Sequence, residues 1–441
     1  MVRLLTFLFL SIFIIGCGTK EIQPYVLNYP SQNPMDYLSE NKTISKTTQN
    51  RLKKDYLEHF FAPWDKAPYE TQESIAWITN MVSNNYGYGE NNLPNSKEEI
   101  ESLLLNADFK NFPNKKIKAI ITRSTNLRVL PTNKPRFYNP KKAGEGFPFD
   151  YYQNSAIYLG TPIIIRHYSL KKDWAYVESG FVSGWADVRD FVILDNKQIQ
   201  NYKKQNFIVL DKDRIPLFKG QNFIDNARIG MLLPYIKEQK DSYILRIYQN
   251  NQGSAVPLRI KLSKQNASLF PKLFSTKEVA LLSQNLIGEK YGWGGALENR
   301  DCSMFLRDIL GNFGIYLQRN SQAQMRQKDF KEKKIYFEIG ENKFDEITKN
   351  AIPFATLLGM KGHIMLYLGQ KDGQIFALHD IWGLKTLQNE TQEGREIIGK
   401  IAITPLDFGK DHPYIQEKSL LLHRIYGIRN LFSQEELENI E

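Results

Sequence analysis

The chain has 441 residues, which is too long for one ordinary hydrophobic core and predicts two to four domains. Hydrophobic residues make up 42% and aromatic residues 12% of the chain, which excludes wholesale disorder. The formal net charge of +10 suits an anionic partner. The lysines and arginines are scattered rather than interleaved with aromatic residues, so we do not predict a nucleic-acid partner.

The N-terminus predicts export and a membrane anchor. Arg3 precedes a largely apolar run over residues 4–15, which is too short to span a bilayer but suits the core of a signal peptide. The run ends in Ile14-Ile15-Gly16-Cys17, which resembles the bacterial lipobox. That resemblance implies that residues 1–16 are a lipoprotein signal peptide and that Cys17 is the lipid attachment site. The expected location is the cell envelope, facing the periplasm, on the outer membrane; an ordinary secretory signal is the alternative.

Changes in composition and periodicity divide the rest of the chain. Residues 17–50 are polar and predict a flexible tether, and residues 51–115 show helical spacing, with Ser96 and Glu99 as a capping box. Residues 116–192 and 193–262 alternate with period two, which predicts two small β-barrels. Residues 263–441 place helices before apolar strands, which predicts an α+β domain.

Three aromatic residues of the first predicted barrel, Trp174, Tyr176 and Trp185, have two interpretations. They form either an exposed platform for a ligand or part of the barrel core. We favour the core for each of them, because large aromatic side chains in small barrels are more often buried.

Cys302 is the candidate nucleophile. The chain has two cysteines, so if Cys17 carries lipid, Cys302 has no disulfide partner in an oxidising compartment. It follows the glycine-rich run 291–295 and lies in the predicted first turn of a helix that ends at Gly314. Backbone N–H groups at a helix start stabilise a thiolate, so we expect a lowered thiol pKa. A small buried core cysteine is the alternative.

Two histidines are predicted to meet on neighbouring strands. Residues 371–373 predict a three-residue hairpin loop that pairs His363 with Ile381. His379 then lies on the same face, one diagonal step from His363. Gly369 and Gly373 make a small slip possible, which would pair the two histidines directly. His363 would take the thiol proton and His379 would orient its imidazole. A metal site is disfavoured, since the chain has six histidines and no His-Glu-x-x-His spacing; we predict no metal and no cofactor.

These motifs resemble the NlpC-type cysteine peptidases of bacterial cell walls, which have a papain-like fold. The matching motifs are Tyr291-x-Trp293-Gly-Gly, Asp301-Cys302-Ser303-x-Phe305, Arg319-x-Ser321-x-x-Gln324 and Gly362-His363. The resemblance implies that Cys302, His363 and His379 are catalytic. It also implies that Tyr291, Trp293, Asp301, Ser303 and Arg319 bind substrate. The two barrels resemble bacterial Src-homology-3-like domains.

The whole arrangement resembles γ-D-glutamyl–diamino acid endopeptidases. That resemblance implies cleavage of the γ-D-Glu–meso-diaminopimelate amide in peptidoglycan stem peptides. Asp301 would hold the free amine of an N-terminal L-Ala, or would only cap the helix. Two other functions remain open from the sequence: cleavage of the D-alanyl–diaminopimelate cross-link, and a non-catalytic wall-binding lipoprotein.

Overall fold

The computed structural model describes residues 25–66, 69–328, 334–338, 341–388 and 392–439. The predicted signal peptide and Cys17 lie outside these ranges. Among the described residues, no helix has the length and hydrophobicity needed to cross a bilayer.

Residues 25–45 pack on the C-terminal domain, so the predicted tether over 17–50 is wrong for this part. Strand β1 (Lys42–Ile44) pairs antiparallel with the C-terminal strand Leu437–Asn439. Ile44 is buried, and the side chain of Gln32 donates to the backbone of Ile403. The polar composition of this segment was misleading, because it also buries Tyr37 and Ile44 and the Gln32 side chain pairs with a distant backbone group.

Three helices follow and form the predicted N-terminal region. They are α1 (Lys46–Asp65), α2 (Gln72–Asn84) and α3 (Lys97–Ala107). The region begins at Lys46 rather than at residue 51, because the Ser45 side chain caps α1. The predicted capping box is confirmed: Ser96 accepts from the N–H of Glu99, and the Glu99 carboxylate accepts from the N–H of Ser96.

The first barrel is a seven-stranded antiparallel sheet in the order β4-β3-β7-β6-β5-β2-β8. Its strands are β2 (Ile117–Ile121), β3 (Thr125–Arg128), β4 (Gln153–Ile157), β5 (Pro162–Tyr168), β6 (Trp174–Glu178), β7 (Ser183–Asp187) and β8 (Phe191–Ile193). Trp174, Tyr176 and Trp185 are buried in a cluster with residues of helices α2 and α3, whereas the alternate residues Ala175, Val177 and Ala186 form the barrel interior. The three aromatic residues are therefore not an exposed platform, but the prediction that they belong to the barrel core is wrong, because the helices bury them from outside the barrel. The N-terminal helices thus cover one side of this barrel.

The second barrel follows helix α4 (Asn196–Lys203). A five-stranded sheet in the order β14-β13-β12-β9-β15 is joined by the hairpin β10–β11. The strands are β9 (Asn206–Leu210), β10 (Ile215–Lys219), β11 (Asn222–Ala227), β12 (Leu233–Glu238), β13 (Ser242–Asn251), β14 (Ser254–Ser263) and β15 (Ala267–Leu269). The predicted boundary at 262 is therefore too early, because β15 completes the sheet by pairing with β9.

The C-terminal domain places helices on both faces of a six-stranded sheet ordered β16-β21-β17-β18-β19-β20. Its helices are α5 (Thr276–Gln284), α6 (Cys302–Gly311), α7 (Ser321–Arg326), α8 (Lys343–Asn350) and α9 (Leu421–Arg424). Its strands are β16 (Ile335–Tyr336), β17 (Thr356–Met360), β18 (His363–Lys371), β19 (Gln374–Gln388), β20 (Gln392–Pro405) and β21 (Ile425–Asn430), with β22 (Leu437–Asn439) paired to β1. One face packs on α6 through Ile364 and Leu366, and the other buries Met365 and Tyr367.

The β18–β19 hairpin has a two-residue loop, not the predicted three-residue loop. Lys371 pairs with Gln374, and Asp372 and Gly373 both have positive φ (50° and 75°), as a type I′ turn requires. A bulge between Tyr367 and Gly369 then shifts the register by one residue. The two departures cancel, so continuing the register toward the strand start places His363 opposite Ile381 as predicted.

Candidate active site

Cys302 is the first residue of helix α6 and lies at the base of a groove between three domains. Asp301 caps the helix by accepting from the N–H of Met304. The Cys302 sulfur accepts a hydrogen bond from the N–H of Ile364, so the thiol lies beside the start of β18, next to His363. The helix prediction is confirmed, including the left-handed conformation of Gly314 after it (φ 77°).

The glycines before Cys302 are needed for contact with the first barrel. Gly294 and Gly295 have φ of 62° and 78°, and a Cβ on either would lie 2.7 Å from Gln153 or Ala156 of β4. The Gln153 side chain donates to the carbonyl of Gly294 at 3.0 Å. The barrel therefore packs directly on the loop that leads to the nucleophile.

Asp301 is buried and its carboxylate is fully occupied. It accepts from Ser303 Oγ at 2.9 Å and from the N–H groups of Met304 and Gly294 at 2.9 and 3.0 Å. It also accepts a forked pair of hydrogen bonds from Arg319 at 2.8 and 3.1 Å. Burial alone would raise the pKa of Asp301, but Arg319 and these donors hold it below its usual value. Asp301 thus caps the helix and neutralises Arg319.

Arg319 connects this carboxylate to the first barrel. Its Nε donates to Ser155 Oγ of β4 at 2.6 Å, and its Nη1 donates to Ser303 Oγ at 3.0 Å. Gln324 of α7 donates to the carbonyl of Ser303 at 2.8 Å. Ser155 is completely buried, and no local sequence pattern marked it as part of the site.

His363 and His379 form the predicted pair. His363 Nε2 lies 2.8 Å from His379 Nδ1, and His379 Nε2 lies 2.9 Å from Thr404 Oγ1. One tautomer satisfies the whole chain: Nε2–H of His363 donates to His379, and Nε2–H of His379 donates to Thr404. This arrangement leaves Nδ1 of His363 with a lone pair that is able to take a proton.

Burial keeps the thiol and both imidazoles in their neutral forms. Burial, with a smaller effect of Arg424, lowers the pKa of His363 to about 3. Burial and the neighbouring His363 lower the pKa of His379 well below its usual value. Burial and the Asp301 carboxylate raise the pKa of the Cys302 thiol, and the Ile364 N–H and Arg319 do not offset them. The expectation of a lowered thiol pKa is therefore wrong, because burial and Asp301 outweigh the helix start.

The groove over Cys302 has a volume of about 1010 Å³ and is lined by the N-terminal helical region, the first barrel and the C-terminal domain. The C-terminal domain contributes Cys302, Tyr291, Trp293, Asp301, Ser303 and Arg319 to it. Trp77 and Met81 of α2 and the segment 178–183 of the first barrel form the opposite walls. An aromatic cluster lies along one wall, where the Phe149 ring is 5.2 Å from Trp293 and 6.0 Å from Trp382.

Two acidic residues of the groove wall, Glu70 and Glu178, were not predicted from the sequence. The N–H of Glu70 donates to the Glu178 carboxylate at 3.1 Å, which holds the two residues together. Burial and then Glu70 raise the pKa of Glu178 to about 7, although Arg166 lies 3.2 Å away. They come from different domains, so only the folded arrangement shows that they share a site.

Comparison with known proteins agrees with this domain order. Residues 288–391 match the NlpC/P60 family model, and residues 6–112 match the N-terminal stabilising domain of such proteins. Residues 135–187 match the SH3b1-type domain, and residues 195–240 match the SH3b2-type domain. The C-terminal domain belongs to the NlpC/P60 family. The chain is therefore a cysteine-type peptidase of the cell-wall class.

The first of two similar solved structures shows the same fold. An NlpC/P60 endopeptidase from Photobacterium damselae subsp. piscicida matches with a TM-score of 0.80 and 24% identity, over 92% of this chain and 98% of that chain. An NlpC/P60 family protein from Bacillus cereus matches with a TM-score of 0.48 and 15% identity, over 72% of this chain and 100% of that chain. No curated protein sequence matches the chain.

The raised thiol pKa predicts slow alkylation of Cys302 at neutral pH. The thiolate is the reactive form, and it is populated only as the pH rises above the usual thiol pKa of about 8.5. Iodoacetamide labelling of residues 18–441, which contain Cys302 as their single cysteine, should therefore accelerate steeply in alkaline solution. The Cys302→Ala variant controls for labelling elsewhere. A rate that is already maximal at neutral pH would show a preformed thiolate instead.

The histidine chain predicts unequal effects of the two histidines. His363→Ala should lower kcat/KM by about a thousandfold or more, approaching Cys302→Ala, because the base is lost. His379→Gln should cost only about ten- to a hundredfold, because Gln both accepts from His363 and donates to Thr404. Turnover of a stem tripeptide measures both effects. Two silent substitutions, or an equal total loss from both, would contradict these roles.

Proposed function

We propose that the enzyme cleaves the γ-D-Glu–meso-diaminopimelate amide of peptidoglycan stem peptides, with a preference for a free N-terminal L-Ala. The observation that carries this proposal is the groove itself, in which Cys302 lies among charged groups of both signs. A stem peptide carries an ammonium at L-Ala and carboxylates at D-Glu and diaminopimelate. Glu70 and Glu178 suit the ammonium, whereas Arg319 is already paired with Asp301.

The proposed chemistry runs through an acyl-enzyme. His363 Nδ1 takes the Cys302 proton as the sulfur attacks the γ-carbonyl carbon of D-Glu, and the carbonyl oxygen becomes an oxyanion. The N–H of Cys302, at the first helical position, has no partner within the helix and is available to this oxyanion. The C–N bond then breaks, and the proton on His363 passes to the leaving amine of diaminopimelate. Water, deprotonated by His363, hydrolyses the thioester and regenerates the thiol.

Recognition of the free amine rests on the Glu70–Glu178 pair in this proposal, and not on Asp301 alone. The Asp301 carboxylate already faces the Arg319 guanidinium, so its charge is offset within the protein. The Glu70 carboxylate accepts from Tyr176 and Ser183, and both of these donors are neutral. Arg166 pairs with Glu178, while the Glu70 carboxylate has these neutral donors, so the pair favours a positively charged ligand group.

The proposal predicts that N-acetylation of the substrate lowers kcat/KM by about 30-fold or more, because a partly desolvated charge pair is lost. Glu178→Gln should lower kcat/KM on L-Ala-γ-D-Glu-diaminopimelate but leave the N-acetylated peptide unchanged. The preference for the free amine should also grow as the pH rises through about 7, where Glu178 ionises.

The N-acetylated substrate controls for folding, because a misfolded Glu178→Gln variant would lose activity on both peptides. Equal rates on both peptides with the unaltered enzyme would refute amine recognition. Mass spectrometry of digested peptidoglycan identifies the bond: release of D-Ala from diaminopimelate would refute the proposed bond while leaving the thiol mechanism intact.

We also propose that Cys17 is acylated and anchors the enzyme at the cell envelope, facing the periplasm on the outer membrane. The support is the lipobox-like sequence before Cys17. Cys17→Ser should abolish partition of the protein with membranes and remove the acyl mass from the mature N-terminus. Unchanged acyl mass in that variant would refute the attachment site.

A further inference from the structure

The outer face of the second barrel carries four cations on three adjacent strands, here called the basic face. These are Lys237 of β12, Arg246 of β13, and Arg259 and Lys261 of β14. In the sheet register, Arg246 lies directly opposite Arg259, while Ile244 pairs with both Lys237 and Lys261. Lys237, Arg259 and Lys261 are exposed and Arg246 is half-buried. None of the four forms an ion pair with any residue that the structure describes.

The pairing of Arg246 with Arg259 opposes the stability of the sheet. Like charges directly opposite each other on neighbouring strands repel, and an anionic ligand relieves that repulsion. Neighbouring cations on the face are about 5 Å apart across strands and about 7 Å apart along β14. This spacing suits an extended surface with many negative charges better than a single small anion.

The β10–β11 hairpin adds exposed aromatic side chains beside this face, since β10 packs next to β14. Phe218 and Phe223 pair across the hairpin with ring centres 5.8 Å apart, and they are 47% and 55% exposed. Lys219 follows Phe218 at the turn. Exposed phenylalanines next to lysines and arginines are the composition of surfaces that enter the interfacial layer of an anionic membrane.

We propose that the basic face, with Phe218 and Phe223, binds the surface of an anionic phospholipid bilayer. The bilayer would neutralise Arg246 and Arg259 and receive the two phenyl rings. The binding does not require acylation of Cys17. The two proposals therefore fail separately: loss of lipid at Cys17 would leave this surface intact, and loss of this surface would leave the peptidase active.

The test is flotation of unacylated residues 18–441 with vesicles. Binding is expected with equal parts of phosphatidylglycerol and phosphatidylcholine, and not with phosphatidylcholine alone. Arg246→Gln combined with Arg259→Gln should weaken binding about 25-fold, because each basic residue near an anionic surface contributes about fivefold. Phe218→Ser combined with Phe223→Ser should also weaken binding.

Matched controls come from the first barrel, where Lys171, Lys172 and Leu170 are exposed. Lys171→Gln with Lys172→Gln, and Leu170→Ser, should leave vesicle binding unchanged. Unchanged stem-peptide turnover in every variant shows that the fold is intact. Equal flotation with both vesicle types, an equal loss in the control variants, or retention on peptidoglycan but not on vesicles would overturn the proposal.

Discussion

A buried ion cluster centred on Arg300 joins the two barrels to the peptidase domain behind the nucleophile. The fully buried Arg300 guanidinium donates to Asp213 of the second barrel, to Glu289, and to Asp308 of α6, each at 2.8 Å. Tyr158 of the first barrel donates to the same Asp308 at 2.6 Å. Removing one partner from such a cluster leaves a buried charge uncompensated, at a cost of about 3–5 kcal/mol. The barrels are therefore fixed on the peptidase domain and are not freely tethered modules.

Asp301, the next residue along the chain, is linked to the first barrel. Arg300 accepts the N–H of Gly292 through its carbonyl, and Asp301 accepts the N–H of Gly294 through its carboxylate. Arg319 then links Asp301 to Ser155 of the first barrel. The second barrel thus contacts Arg300 directly through Asp213, and the first barrel is linked to Asp301 through Arg319. The loop that leads to Cys302 lines the groove and is therefore fixed by contacts with the barrels.

The sequence was most informative where chemistry follows from local pattern. The Cys302 helix, the strand spans and the His363–His379 pair follow from periodicity, capping and alternation, all of which act over a few residues. The predicted hairpin loop was wrong by one residue, and a bulge next to Gly369 restored the predicted pairing. Ser155, Glu70 and Glu178 could not be predicted, because each joins the site only through domain packing. The tether prediction failed for the same reason, since residues 25–45 bind a surface made by distant parts of the chain.

The neutral resting state protects the free Cys302 thiol from oxidation. Oxidation, like alkylation, proceeds through the thiolate, and burial together with Asp301 keeps that form scarce. Asp380, next to His379 in the sequence, is fully buried, and neither of its carboxyl oxygens has a hydrogen-bond partner among the residues that the structure describes. Burial raises the pKa of Asp380 well above its usual value. A protonated Asp380 adds no negative charge near the thiol, so the proton transfer to His363 is opposed mainly by Asp301. Arg319 offsets that carboxylate, which allows the thiolate to form at the moment of attack and not before.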